Sequence, residues 1–402
     1  MKKIIVSILC IFLFGCQSAK QEDQLSSKAV GQMYTIEEGA KLHIAVEDER
    51  YGEAIIALWN KVYPQHTNAV SYSVTTAPQI YQKFIDTRMF PYDLVWTKDT
   101  YLFSFASHGY EMEESFFQDL AIGVPSHYYK QSPILYVPMR AEGMLFAYKK
   151  DQLQALGLEE SVMESFENMF ASKQEKMYFH TNYVYHVDTL LTSSFSLFED
   201  GKIAGFDTKE FKKSLELYKE LYQEGNLRDD TIGMNDYFMN GEYISGLVGT
   251  WMSFEGQNLR FQKMPTYQGK QFTPIAHSYG YFINKDTLYP QAAKALLRLL
   301  RSQEGMQAYL ETSYSFAVLE EKGIEQLTFQ NDNQKEISYA LQYSRPQQIW
   351  GQHHNPTTNF YDIYFKTSIL EYIHQYINDD IKLKTVLEEI EQQEELYRQL
   401  GK

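Results

Sequence analysis

Apolar and polar residues alternate along Lys41–Val46 (KLHIAV) and along Val70–Thr75 (VSYSVT), which predicts two short strands. Between them Ile55, Ile56, Leu58 and Trp59 share one face of a predicted helix, Gly52–Val62, that follows a charged loop, Glu47-Asp48-Glu49-Arg50. Trp59 belongs to the core. A further helix starts over Ile80–Asp86. Pro91–Trp96 (PYDLVW) then predicts a third strand ending in an exposed ring, Trp96. A β-α-β-α-β order implies a parallel sheet with helices on its faces.

The pattern changes at Val137–Asp151 (VPMRAEGMLFAYKKD), which predicts a buried strand, Gly143–Tyr148, a turn and a helix start at Asp151. Glu142 heads the strand among apolar neighbours. A carboxylate there needs partners or it neutralises. Two readings stand open: a structural pair with Arg140 or another cation, or a ligand-facing group. A second set of elements follows. It comprises a strand at Met177–Phe179, a helix at Val187–Leu197 and an amphipathic helix at Thr208–Glu224. Asp236–Asn240 ends a helix capped at Gly241, and Tyr243–Val248 is a strand. Phe272–Asn284 is again strand-like. Pro290 opens a helix over Gln291–Ser302, and Phe360–Ile377 and Leu383–Leu400 close the chain as apolar and amphipathic helices.

The N-terminus has its own pattern. Lys2 and Lys3 precede an apolar run, Ile4–Phe14, too short to span a bilayer as a stable helix. Leu13-Phe14-Gly15-Cys16 resembles a bacterial lipobox, in which the cysteine becomes the lipidated first residue. Residues 1–15 are then a signal peptide and residues 16–38 a disordered tether. The only cysteines are Cys10 and Cys16. Beyond Cys16 there is thus no thiol for a disulfide, a zinc-thiolate site or a nucleophile.

Composition narrows the class. The 402 residues are 44% hydrophobic, enough for well-formed cores, and carry a formal charge of -15. That balance disfavours nucleic acid as a partner, and membrane binding through a basic face. Aromatics reach 15%, with 32 Tyr, which points to a surface or cleft lined with rings.

Catalytic signatures are scarce. The chain has no Gly-x-Ser-x-Gly elbow, no Gly-x-Gly-x-x-Gly loop and no phosphate-binding Gly-Lys-Ser/Thr loop. His353-His354 and His180 with His186 lack helical i, i+4 spacing and a completing ligand set, so no metal or cofactor is expected. Rings and carboxylates do cluster at strand ends. Trp96 precedes Lys98, Asp99 and Tyr101. Trp251 follows Gly249 and precedes Ser253, Phe254 and Glu255. Glu49 and Arg50 follow the first strand. In open parallel sheets ligands sit beyond the carboxyl ends of strands. Sugars suit such places, because their C–H faces stack on rings and their hydroxyls bond charged side chains.

Four segments, in order, resemble the extracellular solute-binding proteins of ABC sugar importers, the class of maltose-binding protein. They are KLHIAV-EDER-YGE; PYDLVW; Phe238-x-x-Gly241-Glu242 with Gly249-x-Trp251; and Gly280–Asn284 with Ala292–Leu300 and Ser302-Gln303-Glu304-Gly305. The resemblance covers about residues 40–400. Ile244-Ser245 departs from the family's common Ala-Met, and Phe14 is bulkier than usual in a lipobox. The resemblance implies an α/β, two-lobed periplasmic-binding-protein-like fold with two mixed or parallel sheets and hinge crossovers. The lobes would be 39–138 plus 283–325 and 139–282 plus 326–402. It implies sugar contacts at Glu49, Arg50, Trp96, Asp99, Glu142 and Trp251, with Tyr183 or Tyr185 from the second lobe. Late in the chain it implies Tyr361 or Tyr364, or Trp350.

The expected function is a monomeric, lipid-anchored receptor on the outer face of the cell membrane. It would take a carbohydrate, such as a maltodextrin, in an interlobe cleft and deliver it to an ABC permease, without catalysis. Alternatives are the same fold with a non-sugar solute, a surface glycoside hydrolase, or a receptor reporting to a sensor kinase.

Overall fold

A computed structural model describes residues 33–130, 133–173, 177–178, 198–199, 202–203, 209–224, 243–252, 254, 258–313, 315–346 and 368–400. In chain order the main elements are β1 (Leu42–Val46), α1 (Glu49–Val62), β2 (Val70–Val74), α2 (Ala77–Thr87), β3 (Leu94–Lys98) and β4 (Val137–Lys149). There follow α3 (Lys209–Glu224), β5 (Ser245–Gly249), β6 (Leu259–Gln262), β7 (Ile275–Ile283), α4 (Pro290–Leu300) and α5 (Gln303–Thr312). The last are α6 (Asp332–Leu341), α7 (Ile369–Ile377) and α8 (Leu383–Leu400).

The chain divides into two compact units: Met1–Arg140 with Tyr279–Gln330, and Ala141–Ser278 with Asn331–Lys402. Three connections join them, and two of these fall inside strands, β4 and β7.

In the first unit β1 lies between β2 and β3, parallel to both. β3 then pairs antiparallel with the end of β7, placing Tyr281 opposite Trp96 and Tyr279 opposite Lys98. The sheet is therefore mixed. The alternation that predicted β1 buries Leu42 and Ile44 on one face, while Ala45 and Val46 are covered too. Trp59 is fully buried in α1, as its apolar neighbours imply, and its indole N–H donates to the His66 carbonyl at 3.0 Å. Gly280 sits where β7 meets β4. A Cβ there would lie 2.1 Å from the Val137 oxygen, so only glycine permits the approach.

Pro290 begins α4, as expected, and the free N–H groups of that helix are capped from a distance. The Glu37 carboxylate accepts from Gln291 N at 2.7 Å and from Ala292 N at 2.9 Å. The Tyr34 hydroxyl accepts from Arg298 Nε at 2.6 Å, so the start of the described chain is fastened along α4.

Just past α4, Arg301 is completely buried. Its Nε donates to Ile122 O at 3.0 Å, and its Nη2 donates to Gly123 O at 2.6 Å and Ile122 O at 2.7 Å. Nη1 reaches Val318 O at 3.1 Å and Pro138 O at 3.4 Å. Among the described residues its partners are carbonyls and the Met306 sulfur, all neutral. Burial lowers its pKa to about 9, so the guanidinium is still charged at neutral pH.

In the second unit β4 runs between β5 and β6, antiparallel to both. Met144, Phe146 and Tyr148 point into a core shared with Phe166, Phe211, Leu215, Tyr218, Leu247 and Phe272. Phe211, Leu215 and Tyr218 come from the predicted amphipathic stripe of α3. Ile373, Ile377, Val386 and Ile390 of α7 and α8 close the same core. Glu336 of α6 pairs with Arg260 and accepts from Phe261 N at 2.9 Å, holding α6 to β6.

Buried phenols make the first unit sensitive to base. Burial raises the pKa of Tyr51 and Tyr281 far above the usual 10.0, and raises Tyr309 and Tyr63 as well, Tyr63 to about 12. A group whose folded pKa is raised contributes stability that is complete below its unfolded value and is lost above it. Thermal midpoints should therefore hold up to about pH 10 and fall steeply from there to about pH 12, in step with tyrosinate absorbance. Midpoints that stay flat across that window would contradict burial of these rings.

Candidate functional site

The carboxyl ends of β1 and β3 and the Tyr279 end of the antiparallel β7 segment converge at one edge of the first unit. There Glu47, Asp48, Tyr51, Trp96, Tyr281, Tyr309 and Ser313 line a recess of about 20 Å³. Its inner wall is aromatic and buried: Tyr51, Trp96, Tyr281 and Tyr309. Its rim is acidic, because Glu47 and Asp48 keep partial exposure.

The rings support one another. Trp96 meets Tyr281 edge-on with centroids 4.9 Å apart and stacks at 6.3 Å on Tyr279. Tyr51 meets Tyr309 edge-on at 5.0 Å. Arg140 lays its guanidinium 3.9 Å from the Tyr279 centroid and donates to Glu47 Oε2 at 2.9 Å. The pair is mostly buried on the arginine side, which fixes Glu47 at the mouth. Asp48 caps α1 by accepting from Arg50 N at 2.8 Å. Its hydrogen bond from the Arg50 side chain holds its carboxyl below the usual range, so Asp48 is an anion at neutral pH. The raised pKa values of Tyr51, Tyr281 and Tyr309 keep those phenols protonated. Two polar atoms in the inner wall, Trp96 Nε1 and Tyr51 Oη, are buried without a hydrogen-bond partner among the described residues. The recess thus offers an aromatic wall inside and carboxylate acceptors at its rim.

Several sequence expectations change here. Trp96 does not end its strand as an exposed ring. It is 2% exposed, because Tyr281, Tyr279 and the Arg140 guanidinium pack around its ring. Asp99 is likewise buried, in a short turn directly after β3. Glu49 and Arg50 are not in a loop. They form the first exposed turn of α1, and Arg50 is held by Asp48 and by the Thr312 carbonyl at 2.7 Å. The acidic residues that reach the recess are Glu47 and Asp48. An N-cap reading of Asp48, an aspartate directly before the helical pattern, would have placed them correctly. Tyr281, Tyr309 and Ser313 carry no such local signal, since chain folding alone brings them to Trp96.

Glu142 is half-buried on β4, in the second unit, flanked by Ala141 and Gly143. Trp251 lies in the turn after β5 of that unit and is 45% exposed. Its ring rests over Gly249, where a Cβ would come within 2.4 Å of it. A glycine two residues ahead therefore leaves room for the indole at the strand end. Cys16, Tyr183, Tyr185, Trp350, Tyr361 and Tyr364 lie outside the described residues, as do the histidine pairs. Among the described residues no cluster of His, Cys, Asp and Glu is arranged to hold a metal ion, and no helix is long and apolar enough to cross a membrane.

Residues 44–307 match the sequence profile of the bacterial extracellular solute-binding protein family. No curated protein sequence matches the chain as a relative. Among solved structures, the chain is similar to an extracellular solute-binding protein of Staphylococcus aureus in complex with maltose. That similarity has a TM-score of 0.69 at 15% identity, covering 90% of this chain and 99% of the other. It is also similar to a cyclic alpha-maltosyl-1,6-maltose binding protein of Arthrobacter globiformis, with a TM-score of 0.66 at 13% identity over 88% and 97% of the two chains. At these identities the likeness is one of fold.

Proposed function

Since the chain belongs to the bacterial extracellular solute-binding protein family, we propose that it is a lipid-anchored receptor that captures a carbohydrate and hands it to an ABC import permease. An oligosaccharide such as a maltodextrin is the favoured ligand. The observation that carries the sugar assignment is the ring-and-carboxylate recess at the end of β1 and β3. Apolar faces suit the C–H surfaces of a pyranose, and rim carboxylates suit its hydroxyls. The maltose and maltosyl-maltose bound by the two fold neighbours agree with this class of ligand.

The exposed indole of Trp251 is proposed as a stacking platform for a sugar ring. Glu142 is proposed as a hydroxyl acceptor, and Asp99 as support for the recess. Cys16 is proposed as the lipid attachment point that keeps the receptor near its permease. The chemistry is binding without bond cleavage.

The direct test is calorimetry against a panel of mono- and oligosaccharides that includes maltose and maltotriose. Binding of at least one sugar, without turnover, is expected. A folded protein silent across the panel would remove the carbohydrate assignment. Trp251→Ala should weaken the best sugar by about 10-fold, equivalent to roughly 1.4 kcal/mol of lost stacking. Unchanged affinity in that variant would take Trp251 out of the site.

A further inference from the structure

We propose that Arg140 is a positioning residue that ties the recess to both strand crossings, so that a ligand held at Glu47 steadies β4 and β7 where they leave the first unit. This rests on the carbohydrate assignment above and goes beyond it, because it says how a filled recess is felt elsewhere in the chain.

Position along the chain comes first. Arg140 is the last residue of the first unit before β4 passes on, and Tyr279 is the first residue of that unit after β7 returns. The two strands already touch there at their backbones, with Gly280 against the Val137 oxygen. One side chain then joins them to the recess. The Arg140 guanidinium lies 3.9 Å from the Tyr279 centroid, and its Nη2 donates to Glu47 Oε2 at 2.9 Å. It also stands 5.9 Å from the ring of Trp96, in the recess wall.

Burial keeps these contacts strong. Only 10% of the Arg140 side chain is exposed, so water screens the ion pair and the cation–π contact little. A planar guanidinium suits both partners at once, since its edge donates to a carboxylate while its face covers a ring. The backbone of Arg140 is fixed as well. It bridges to Ala317, and Val318 N donates to Met139 O at 3.0 Å. A restraint on Glu47 therefore passes to the guanidinium and on to the Tyr279 ring through packed groups.

Glu47 is open to a ligand, because 29% of its side chain is exposed. A sugar hydroxyl donating to it narrows the motion of the carboxylate. Arg140 then loses motion, and so does Tyr279. Local openings of β4 and β7 at the crossings become rarer. Asp48 gives the contrast. It is held by the exposed Arg50 in the first turn of α1, so a contact made there binds into that helix and not to the crossings.

The test is hydrogen exchange on the full chain, with and without a saturating amount of the tightest-binding sugar of the panel above. In the wild-type protein, amides within 137–141 and 278–282 should exchange about 10-fold more slowly when sugar is bound, together with those of 44–51 beside the recess. Arg140→Lys keeps a charge for Glu47 but has no planar face, and Tyr279→Leu removes the ring. In both, the recess segment should still slow, while the response of the crossings should fall below about 2-fold. Arg140→Gln should also weaken the sugar by about 10-fold, because Glu47 loses the partner that orients it. Thermal melts confirm that each variant folds. If Arg140 served stability alone, the variants would melt earlier yet keep the sugar-induced slowing at the crossings, and that result overturns the proposal. Wild-type crossings that do not respond while sugar binds also overturn it and leave the carbohydrate assignment standing. A wild-type protein that binds no sugar of the panel overturns both.

Discussion

Replacing Arg301 with methionine is expected to lower the thermal midpoint by on the order of 10 °C. Arg301 has no room to swing toward solvent, since it is fully buried. It gathers the carbonyls of Ile122, Gly123, Pro138 and Val318 around one planar fork. Methionine fills a similar volume but donates nothing, so those oxygens lose their partners in a dry setting. An abandoned buried acceptor costs about 1–3 kcal/mol. Against this stands relief of the cost of burying an unpaired cation, the same cost that lowers its pKa to about 9. The carbonyls outnumber the charge, and the net loss should be about 3–5 kcal/mol. Arg301→Lys keeps the charge but has no fork, so it should fall between the two. Calorimetric melts of the three proteins decide the matter. A methionine variant within about 2 °C of wild type would show that the carbonyls find donors elsewhere.

Gly280→Ala is expected to be nearly as damaging, by a different route. The new methyl would meet the Val137 oxygen at 2.1 Å and the Pro138 Cα at 2.8 Å. Both are backbone atoms inside β4, so no rotamer change relieves the clash. β7 must pull away from β4 on that side while β3 holds it on the other through the Gly280–Thr97 pairing. A loss of about 3 kcal/mol or more follows, at the upper end of ordinary overpacking. Gly109→Ala is the control. There the nearest atom is a Leu135 methyl at 3.2 Å, which can shift, and the cost should stay below about 1 kcal/mol. Urea denaturation of both variants measures the contrast, and equal midpoints would refute it.

Much of the fold was legible because its elements obey local periodicity. The alternation in KLHIAV and the helical stripe at Ile55, Leu58 and Trp59 identified β1 and α1. Pro290 marked the start of α4. The helix α6 was missed, although Asn331 caps it by accepting from Gln334 N at 2.9 Å. Its surface-weighted composition gave a weak stripe.

The site was only half legible. Trp96 was found as a ring at a strand end, yet its burial could not be read from Lys98 and Asp99 beside it. What covers Trp96 is Tyr281, from a strand far along the chain, and nothing in PYDLVW encodes that partner. Of the four charged residues Glu47-Asp48-Glu49-Arg50, Glu47 and Asp48 line the recess, while Glu49 and Arg50 open α1. The loop was extended past the cap that Asp48 supplies. In a helix start, two residues separate a side chain facing the sheet edge from one facing water.

The order of strands also governs how this chain can fold. β1, α1, β2, α2 and β3 are made early and can assemble locally. The partner of β3 on its open side is the end of β7, which is synthesised only after nearly all of the second unit's inserted segment. Until then β3 has an unpaired edge carrying Leu94, Val95 and Trp96, an apolar template for wrong pairing. Closing the first sheet requires a long-range contact that local structure cannot hasten. The first unit therefore waits for residues 279–330 before its sheet can close, although its chain emerges first. Aggregation during refolding should begin at that edge.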